Sequence, residues 1–387
     1  MRILIAGGGT GGHIYPGISV ANHFRDLGEG HEIRFVGTKR GMEADLIPKA
    51  GYSLELITVS GFQRRLSLGL FKSLADVFHG FGQARKLIRR FQPDIVIGTG
   101  GYVCGPVVAV AKMAKIPTLI LEQNVIPGVT NRILGRFVDG VAVTYEASRG
   151  YFPHHQDVRV TGNPIRNEIM MADRTIGRQT LGIGDDQFVI MGFGGSIGAQ
   201  RINEAMIELC VHYHNSSKVH ILHITGRDKY ESVLAELASR GIVLSEAGNI
   251  TIKPYLYNIQ DAYGASDLIV SRAGGISLSE LTAIGKPAII VPYPHATNQH
   301  QDHNGRFLAH EGAAVLIADQ ELSGERLIYH VDALMNDPTA LKQMADNSRR
   351  IGRPQAAEEI ADFARELIRK RQSSHHGRSG LSNAGRD

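Results

Sequence analysis

The sequence predicts a doubly wound α/β protein made of two similar parallel-sheet units. Three observations predict it. Short apolar runs alternate with longer helical patterns along most of the 387 residues, and strands that are apolar throughout belong to parallel sheets covered on both faces. A glycine-rich loop follows the first strand of each half, at GGGTGGH and at GFGGSIGAQ. The length suits two domains better than one.

In the first half, strand-like runs occur at 3–6, 33–36, 54–57, 94–98, 118–121, 141–143 and 158–161. Helical patterns fill the gaps, at 16–27, 70–90 and 105–114 among others. Near Asn163 and Pro164 the rhythm restarts. A polar stretch, 166–179, leads to a strand at 188–193 and the second glycine loop, 192–200. Further strands are expected at 219–225, 250–252, 268–271, 288–291 and 314–317, with helices between. Pro354 precedes a last helical run, 356–371. The expected division is therefore a domain over 1–163, a second over 164–353, and a polar, disordered tail over 372–387.

Apolar residues make up 43% and charged residues 21%, ordinary values for a folded protein. The 45 glycines follow no fixed period, which points to tight turns and backbone–ligand approach rather than a collagen or linker. The only two cysteines, Cys104 and Cys210, sit in apolar surroundings without CxxC spacing. They suggest a reducing compartment and no metal cluster. The chain enters a strand directly after Met1 and Arg2, without the pattern of a signal peptide. No run of about 18 apolar residues occurs; the longest candidate, 103–121, is broken by Pro106, Lys112, Lys115 and Pro117. A net charge of +4 and a pI of 9.0 suit an anionic ligand or membrane surface. The lack of a basic stripe interleaved with aromatics argues against nucleic acid.

Gly7, Gly9 and Gly12 match GxGxxG between a strand and a helix. An NAD site wants an acid at the end of the second strand, where this chain reads VGTKR. Lys39 and Arg40 would suit an NADP 2′-phosphate, so a reductase stays open, as does a plain βα turn. In SRAGGISLSE, Gly274 and Gly275 permit a tight turn into a helix, whose free N–H groups and the Ser277 hydroxyl form a site for a diphosphate. Glu280, a turn further in, could accept bonds from ribose hydroxyls; a capped helix with an exposed glutamate is the plainer reading. In PYPHATNQHQDHNG, His300, Gln301 and Asn304 are candidates to bond sugar hydroxyls. There is neither an HExxH nor an Asp-x-Asp, so no metal and no cofactor are expected.

Seven segments occur in order: GGGTGGHIYPG, GTGGYVCGP, LEQNVIPGVTNR, VTGNPIR, GFGGSIGAQRIN, SRAGGISLSEL and the NQHQDHN loop. Together they resemble the MurG family of peptidoglycan glycosyltransferases, from about residue 2 to 371. The resemblance implies a GT-B fold, two Rossmann-like domains facing a cleft, with the last helix, 354–371, returning to the first domain. It implies inverting, metal-independent transfer of N-acetylglucosamine from UDP-GlcNAc to the C4 hydroxyl of the muramyl sugar of lipid I. The product is lipid II, for cell-wall synthesis. The first domain would serve acceptor and membrane and the second the donor. The implied contacts are Thr10, Gly11, Gly12, Asn124, Arg166, Ser196, Leu256 (through its backbone, to uracil), Gly275, Ile276, Ser277, Leu278, Ser279, Glu280 and Gln301. Gln299 or His300 are alternatives to Gln301. His13 is the candidate base, because an imidazole with an ordinary pKa near 6.5 takes up a proton at neutral pH; its alternatives are to cap the loop or orient the diphosphate. Arg166 would supply charge rather than move a proton.

A lipid acceptor implies peripheral binding at the cytoplasmic face of the bacterial cell membrane. Leu70, Phe71, Leu74, Val77, Phe78 and Phe81 recur at helical spacing. Arg64, Arg65, Lys72, Arg85, Lys86, Arg89 and Arg90 flank or follow them. Such a patch fits an anionic membrane surface; the alternative is a helix packed on the sheet. Rival functions are another glycolipid synthase, a sugar-nucleotide epimerase and a non-catalytic sugar-nucleotide-binding subunit.

Overall fold

The computed structural model describes residues 1–380 apart from Arg40, 60–67, Gln156, Ser196 and Ile197, with the backbone alone described over 68–77 and 374–380. It divides into two compact units, Met1–Ile165 with Gln355–Asp387, and Arg166–Pro354. The boundaries lie two residues and one residue beyond the expected 163/164 and 353/354.

The first unit runs β1 (Arg2–Gly7), α1 (Gly11–Asp26), β2 (Glu32–Gly37), α2 (Glu43–Lys49), β3 (Ser53–Leu56), α3 (Leu68–Phe91), β4 (Ile95–Gly100), α4 (Cys104–Met113), β5 (Thr118–Glu122), α5 (Val129–Leu134), β6 (Gly140–Val143) and β7 (Val158–Val160). Its seven strands are ordered β3-β2-β1-β4-β5-β6-β7, all parallel, with Ile3 opposite both Ile33 and Ile95. Successive residues of a strand face opposite ways, so β1 feeds two cores. Leu4 and Ala6 join Val96, Ile120, Leu87 and Val107, while Ile3 and Ile5 join Phe24, Ile97 and Phe363.

The second unit runs α6 (Asn167–Met170), α7 (Arg174–Leu181), β8 (Phe188–Phe193), α8 (Gln200–His212), β9 (Val219–Ile224), α9 (Tyr230–Ser239), β10 (Ile250–Lys253), α10 (Ile259–Ala265), β11 (Leu268–Ser271), α11 (Gly275–Ile284), β12 (Ala288–Ile290), α12 (His300–His310), β13 (Ala314–Leu316), α13 (Gly324–Met335) and α14 (Pro338–Ile351). Its parallel sheet is ordered β10-β9-β8-β11-β12-β13. Helices α7 and α10 meet through glycines. A Cβ at Gly177 would lie 2.2 Å from the Asp261 carbonyl oxygen, and one at Gly264 would lie 2.3 Å from that of Asp173. Asp267 ties the pair to the sheet, accepting from Arg174, from the fully buried Arg178 and from the Val189 amide.

α15 (Ala356–Gly380) belongs to the first unit. It buries Ile360, Phe363 and Ala364 against that sheet. The Arg159 guanidinium stacks 3.9 Å from the Phe363 ring and bonds Glu366 at 2.6 Å. Two expectations are corrected. The helix continues to Gly380, past its expected end at 371; the apolar stripe ends near Arg371, but no proline stops the backbone there. The tail residues 381–387 lie outside the described residues. The first helix starts at Gly11, inside the glycine motif, and not at Pro16. Low helix propensity hides that turn in the sequence; the Thr10 carbonyl accepts from the amides of His13 and Ile14 and starts it.

Each sheet reverses its strand order once, between β1 and β4 and between β8 and β11. In open α/β sheets, ligands bind beyond the carboxyl ends of the strands at that reversal. Both glycine loops and SRAGGISLSE lie there.

Candidate active site

At the first reversal the chain leaves β1 with almost no side chain. A Cβ at Gly7 would overlap Thr99 Oγ1, and Gly9 holds a left-handed φ of 90°. α1 then begins, with exposed Thr10 at its N-cap and Gly11, Gly12 and His13 in its first turn. The half-buried His13 places Nδ1 3.1 Å from the Gly8 carbonyl oxygen and 3.5 Å from Thr10 Oγ1. A carbonyl only accepts, so this contact favours a proton on Nδ1 and makes Nε2 the candidate base. Gly100, at a φ of 109°, makes room for the ring, since a Cβ there would come within 2.6 Å of Cδ2.

Two strands along from β1, Glu122 is buried and organises the loop after β5. Its carboxylate accepts from the Asn124 amide and side chain, the Gly128 amide and Asn131 Nδ2, at 2.8–3.1 Å. Burial nevertheless pushes its carboxyl above the ordinary value. Asn124 is thus held by its own loop. Gln123 bonds the Thr99 carbonyl and joins this loop to β4.

At the second reversal, the loop after β8 includes Gly195 and Gly198, with φ of 88° and 77°. A Cβ on Gly198 would lie 2.1 Å from the Thr225 carbonyl oxygen. Ser196, expected to touch the donor, lies outside the described residues. α11 begins at Gly275 behind Gly274, which has no side chain to cap it, and its first turn carries no acid. Gly275, Ile276 and Ser277 are half-buried at this positive helix end, which suits a phosphate. The next residues turn inward. Leu278 is core, and Ser279 Oγ donates to the Gly275 carbonyl.

Glu280 is only 2% exposed, so the exposed-glutamate reading is overturned. Its Oε1 accepts from Arg166 Nε and Nη2 at 2.9 and 2.8 Å, and Oε2 accepts from the buried Tyr263 hydroxyl at 3.1 Å. Burial raises its carboxyl, against the lowering pull of Arg166. Arg166 is thereby first the counter-ion of Glu280. One acceptor position on Oε2 is left for a further hydroxyl.

Gln301 sits in the first turn of α12, with Oε1 accepting from the Tyr293 amide at 2.9 Å. His300 Nδ1 bonds the Thr297 carbonyl oxygen at 2.6 Å, and Gln299 is left-handed at a φ of 54°. Asn304 is fully buried under the Ala273 carbonyl and is no surface ligand. Leu256 lies half-buried between β10 and α10. It is flanked by Tyr255 and Tyr257, over whose rings the Arg227 guanidinium lies at 5.0 and 5.8 Å. Among the described residues no cluster of His, Cys, Asp and Glu is placed to hold a metal ion.

Three groups escaped sequence reasoning. Tyr263 reads as an ordinary helix residue, and only its 0% exposure beside Glu280 marks it. Arg272, in SRAGG, is tied to Asp319 and the Val291 and Pro292 carbonyls, fixing the turn before α11. Glu43 reads as a surface acid at a helix start. It is completely buried, and the glycines of VGTKRGME around it were the available signal.

Residues 3–143 match the glycosyltransferase family 28 N-terminal domain, and 189–366 match the glycosyltransferase family 28 C-terminal domain. Two curated relatives share the name UDP-N-acetylglucosamine--N-acetylmuramyl-(pentapeptide) pyrophosphoryl-undecaprenol N-acetylglucosamine transferase. One, from Desulforamulus reducens, is 47% identical over 96% of this chain and 100% of its own length. The other, from Halothermothrix orenii, is 45% identical over 92% and 96%. Among solved structures, the chain resembles Acinetobacter baumannii MurG, with a TM-score of 0.73 and 28% identity over 94% of this chain and 99% of that one. The UDP-GlcNAc 2-epimerase of Neisseria meningitidis has a TM-score of 0.68 but 17% identity over 96% and 100%, a likeness of fold alone. With both family domains in sequence order and near-full-length relatives on either side of 46% identity, the chain belongs to the family 28 glycosyltransferases, within the MurG group.

Proposed function

We propose that this chain transfers N-acetylglucosamine from UDP-GlcNAc to the C4 hydroxyl of the muramyl sugar of lipid I, with inversion, giving lipid II and UDP. The full-length relationship to transferases named for this donor and acceptor carries the substrates. His13 carries the chemistry: at the first reversal, its Nδ1 is committed to a carbonyl and its Nε2 is left basic. Nε2 takes the proton of the acceptor hydroxyl as the oxygen attacks the anomeric carbon. The bond from that carbon to the diphosphate oxygen breaks, and UDP departs with the electron pair.

The donor reading rests on the second unit. The amides at Gly275–Ser277 offset the charge growing on the diphosphate. Glu280 takes a ribose hydroxyl at its remaining acceptor position, and the backbone at Leu256 reads the uracil. Gln301 faces the sugar hydroxyls, with Gln299 and His300 next to it. Thr10, Gly11, Gly12, Asn124 and Ser196 are the further donor contacts of this reading. No metal or cofactor enters this scheme.

Membrane contact is part of the same reading. No described helix is long and apolar enough to cross a membrane. Phe78 on α3 is 76% exposed, and Arg85, Lys86, Arg89 and Arg90 are exposed further along the same helix. That combination supports peripheral binding to an anionic surface at the cytoplasmic face. Arg64 and Arg65 lie outside the described residues, as do the side chains of Leu70, Phe71, Lys72, Leu74 and Val77.

The test is transfer of labelled N-acetylglucosamine to a short-chain lipid I analogue, with and without EDTA. Lipid-dependent transfer that survives EDTA supports the scheme. Release of free sugar without an acceptor would favour an epimerase, and UDP binding without turnover a non-catalytic protein. His13→Ala should abolish most turnover and leave UDP affinity near normal; near-normal turnover would remove His13 as base.

A further inference from the structure

Glu43 is a carboxylate with no place in the scheme so far. It is the first residue of α2, yet none of it reaches solvent. Three glycines clear the space it fills. A Cβ on Gly8 would lie 2.5 Å from Oε1, one on Gly37 2.5 Å from Cγ, and one on Gly41 1.9 Å from Oε2. Oε1 accepts from the Thr38 amide at 2.9 Å and the Thr38 hydroxyl at 2.8 Å. Oε2 accepts from the Gly9 amide at 2.9 Å. Burial would raise this carboxyl, but the Gly9 and Thr38 amides outweigh it and hold it below the ordinary value. Glu122 and Glu280, equally buried, are shifted the other way. The amide donors on Glu43 thus favour its charged form.

The Gly9 N–H and the Gly8 C=O belong to one planar peptide unit. The N–H end meets Glu43, and the C=O end meets His13 Nδ1 at 3.1 Å. An anion at the N–H polarises the amide, which makes its carbonyl a better acceptor. Thr10 Oγ1, at 3.5 Å from the same nitrogen, is the weaker partner.

We propose that Glu43 is a positioning residue that acts through the Gly8–Gly9 peptide to hold His13 as the Nδ1–H tautomer, leaving Nε2 as the base. The arrangement is a carboxylate–imidazole pair with a peptide unit inserted between the two members. Its catalytic half rests on the His13 reading above; its tautomeric half stands without it.

The experiment uses the full chain labelled with ¹⁵N-histidine, with the His13 signal assigned by its loss in His13→Gln. Two-bond ¹⁵N–¹H spectra report which ring nitrogen is protonated. The wild type should show Nδ1–H. Glu43→Gln, which keeps the shape and removes the charge, must turn an amide NH₂ towards a donor. It should mix the tautomers and lower kcat roughly 10–100-fold, with the KM for UDP-GlcNAc within about twofold of wild type, because the donor groups of the second unit are untouched. Thr38→Val removes a Glu43 partner but leaves the peptide contact; it should keep the Nδ1–H form and most of kcat. An Nε2–H wild type overturns the proposal, even if Glu43→Gln fails to fold. So does a folded Glu43→Gln with unchanged tautomer and kcat. If the tautomer depends on Glu43 while His13→Ala keeps its turnover, the relay stands and the base assignment falls.

Discussion

Arg166 is the most informative residue to remove from the second unit. Its guanidinium places two N–H groups on one oxygen of Glu280, at 2.8 and 2.9 Å, and the carboxylate is 2% exposed. Arg166→Leu keeps much of the apolar stem and strands the carboxylate with only the Tyr263 hydroxyl for support. Removing one partner of a buried pair costs about 3–5 kcal/mol, because an uncompensated charge stays inside. With a urea m-value of about 2 kcal/mol/M, the midpoint should fall by roughly 2 M. The deficit must depend on pH. Burial already holds the Glu280 carboxyl above its ordinary value, and loss of Arg166 raises it further. The folded state then keeps a proton that the unfolded state has released, so the penalty grows as pH rises above the ordinary carboxyl range. Urea unfolding followed by far-UV circular dichroism should show a larger deficit at about pH 8 than at about pH 5. Arg166→Leu with Glu280→Gln should recover most of it, since a neutral amide needs no counter-ion. A deficit equal at both pH values, or a double variant no better than the single one, would refute the buried-charge argument.

Other expectations follow from single contacts. Gly177→Ala drives a methyl to 2.2 Å from the Asp261 carbonyl oxygen, and should cost about 1–3 kcal/mol by prising α7 from α10; Gly248→Ala, with open space around it, is the control in the same thermal scan. Phe363→Ala removes a fully buried ring from the face shared with β1 and should cost about 3–5 kcal/mol, read as earlier unfolding of the first unit by hydrogen exchange. His223 is fully buried, with a pKa pushed down to about 4 by burial. The unfolded state therefore binds the extra proton first, and stability declines as pH falls from about 6.5 towards 4. His223→Leu should flatten that acid arm in urea midpoints taken across the range.

The strands were the most legible part of this chain. β8 and β11 have the bounds expected from their apolar runs, because a strand buried on both faces leaves no polar residue to blur its edges. The glycine loops were legible because left-handed or crowded backbone needs glycine, as at Gly9 and Gly198. The start of α1 was not, since two glycines read as loop even where a carbonyl organises a helical turn. Within SRAGGISLSE, the sequence separated strand from helix but not ligand-facing from core residues. Leu278 and Glu280 differ in chemistry and share burial, and only the Arg166 and Tyr263 contacts explain how the acid is tolerated. Glu43 was missed for a related reason: a carboxylate at a helix start satisfies local rules on the surface, and although Gly37 and Gly41 stand close by in the chain, only the fold brings Gly8 over it as well.

The position of α15 has a consequence for synthesis. The chain emerges from the ribosome amino end first, so residues 1–165 are complete long before 356–371 exist. Until then, Ile3, Ile5, Leu119 and Ala142 lack the cover that Ile360, Phe363 and Ala364 later provide. The second unit, one uninterrupted segment from Arg166 to Pro354, meets no such delay. The half that starts first thus finishes last, and a released chain truncated before Gln355 should carry a complete second unit and a first unit that still binds trigger-factor-like holdases.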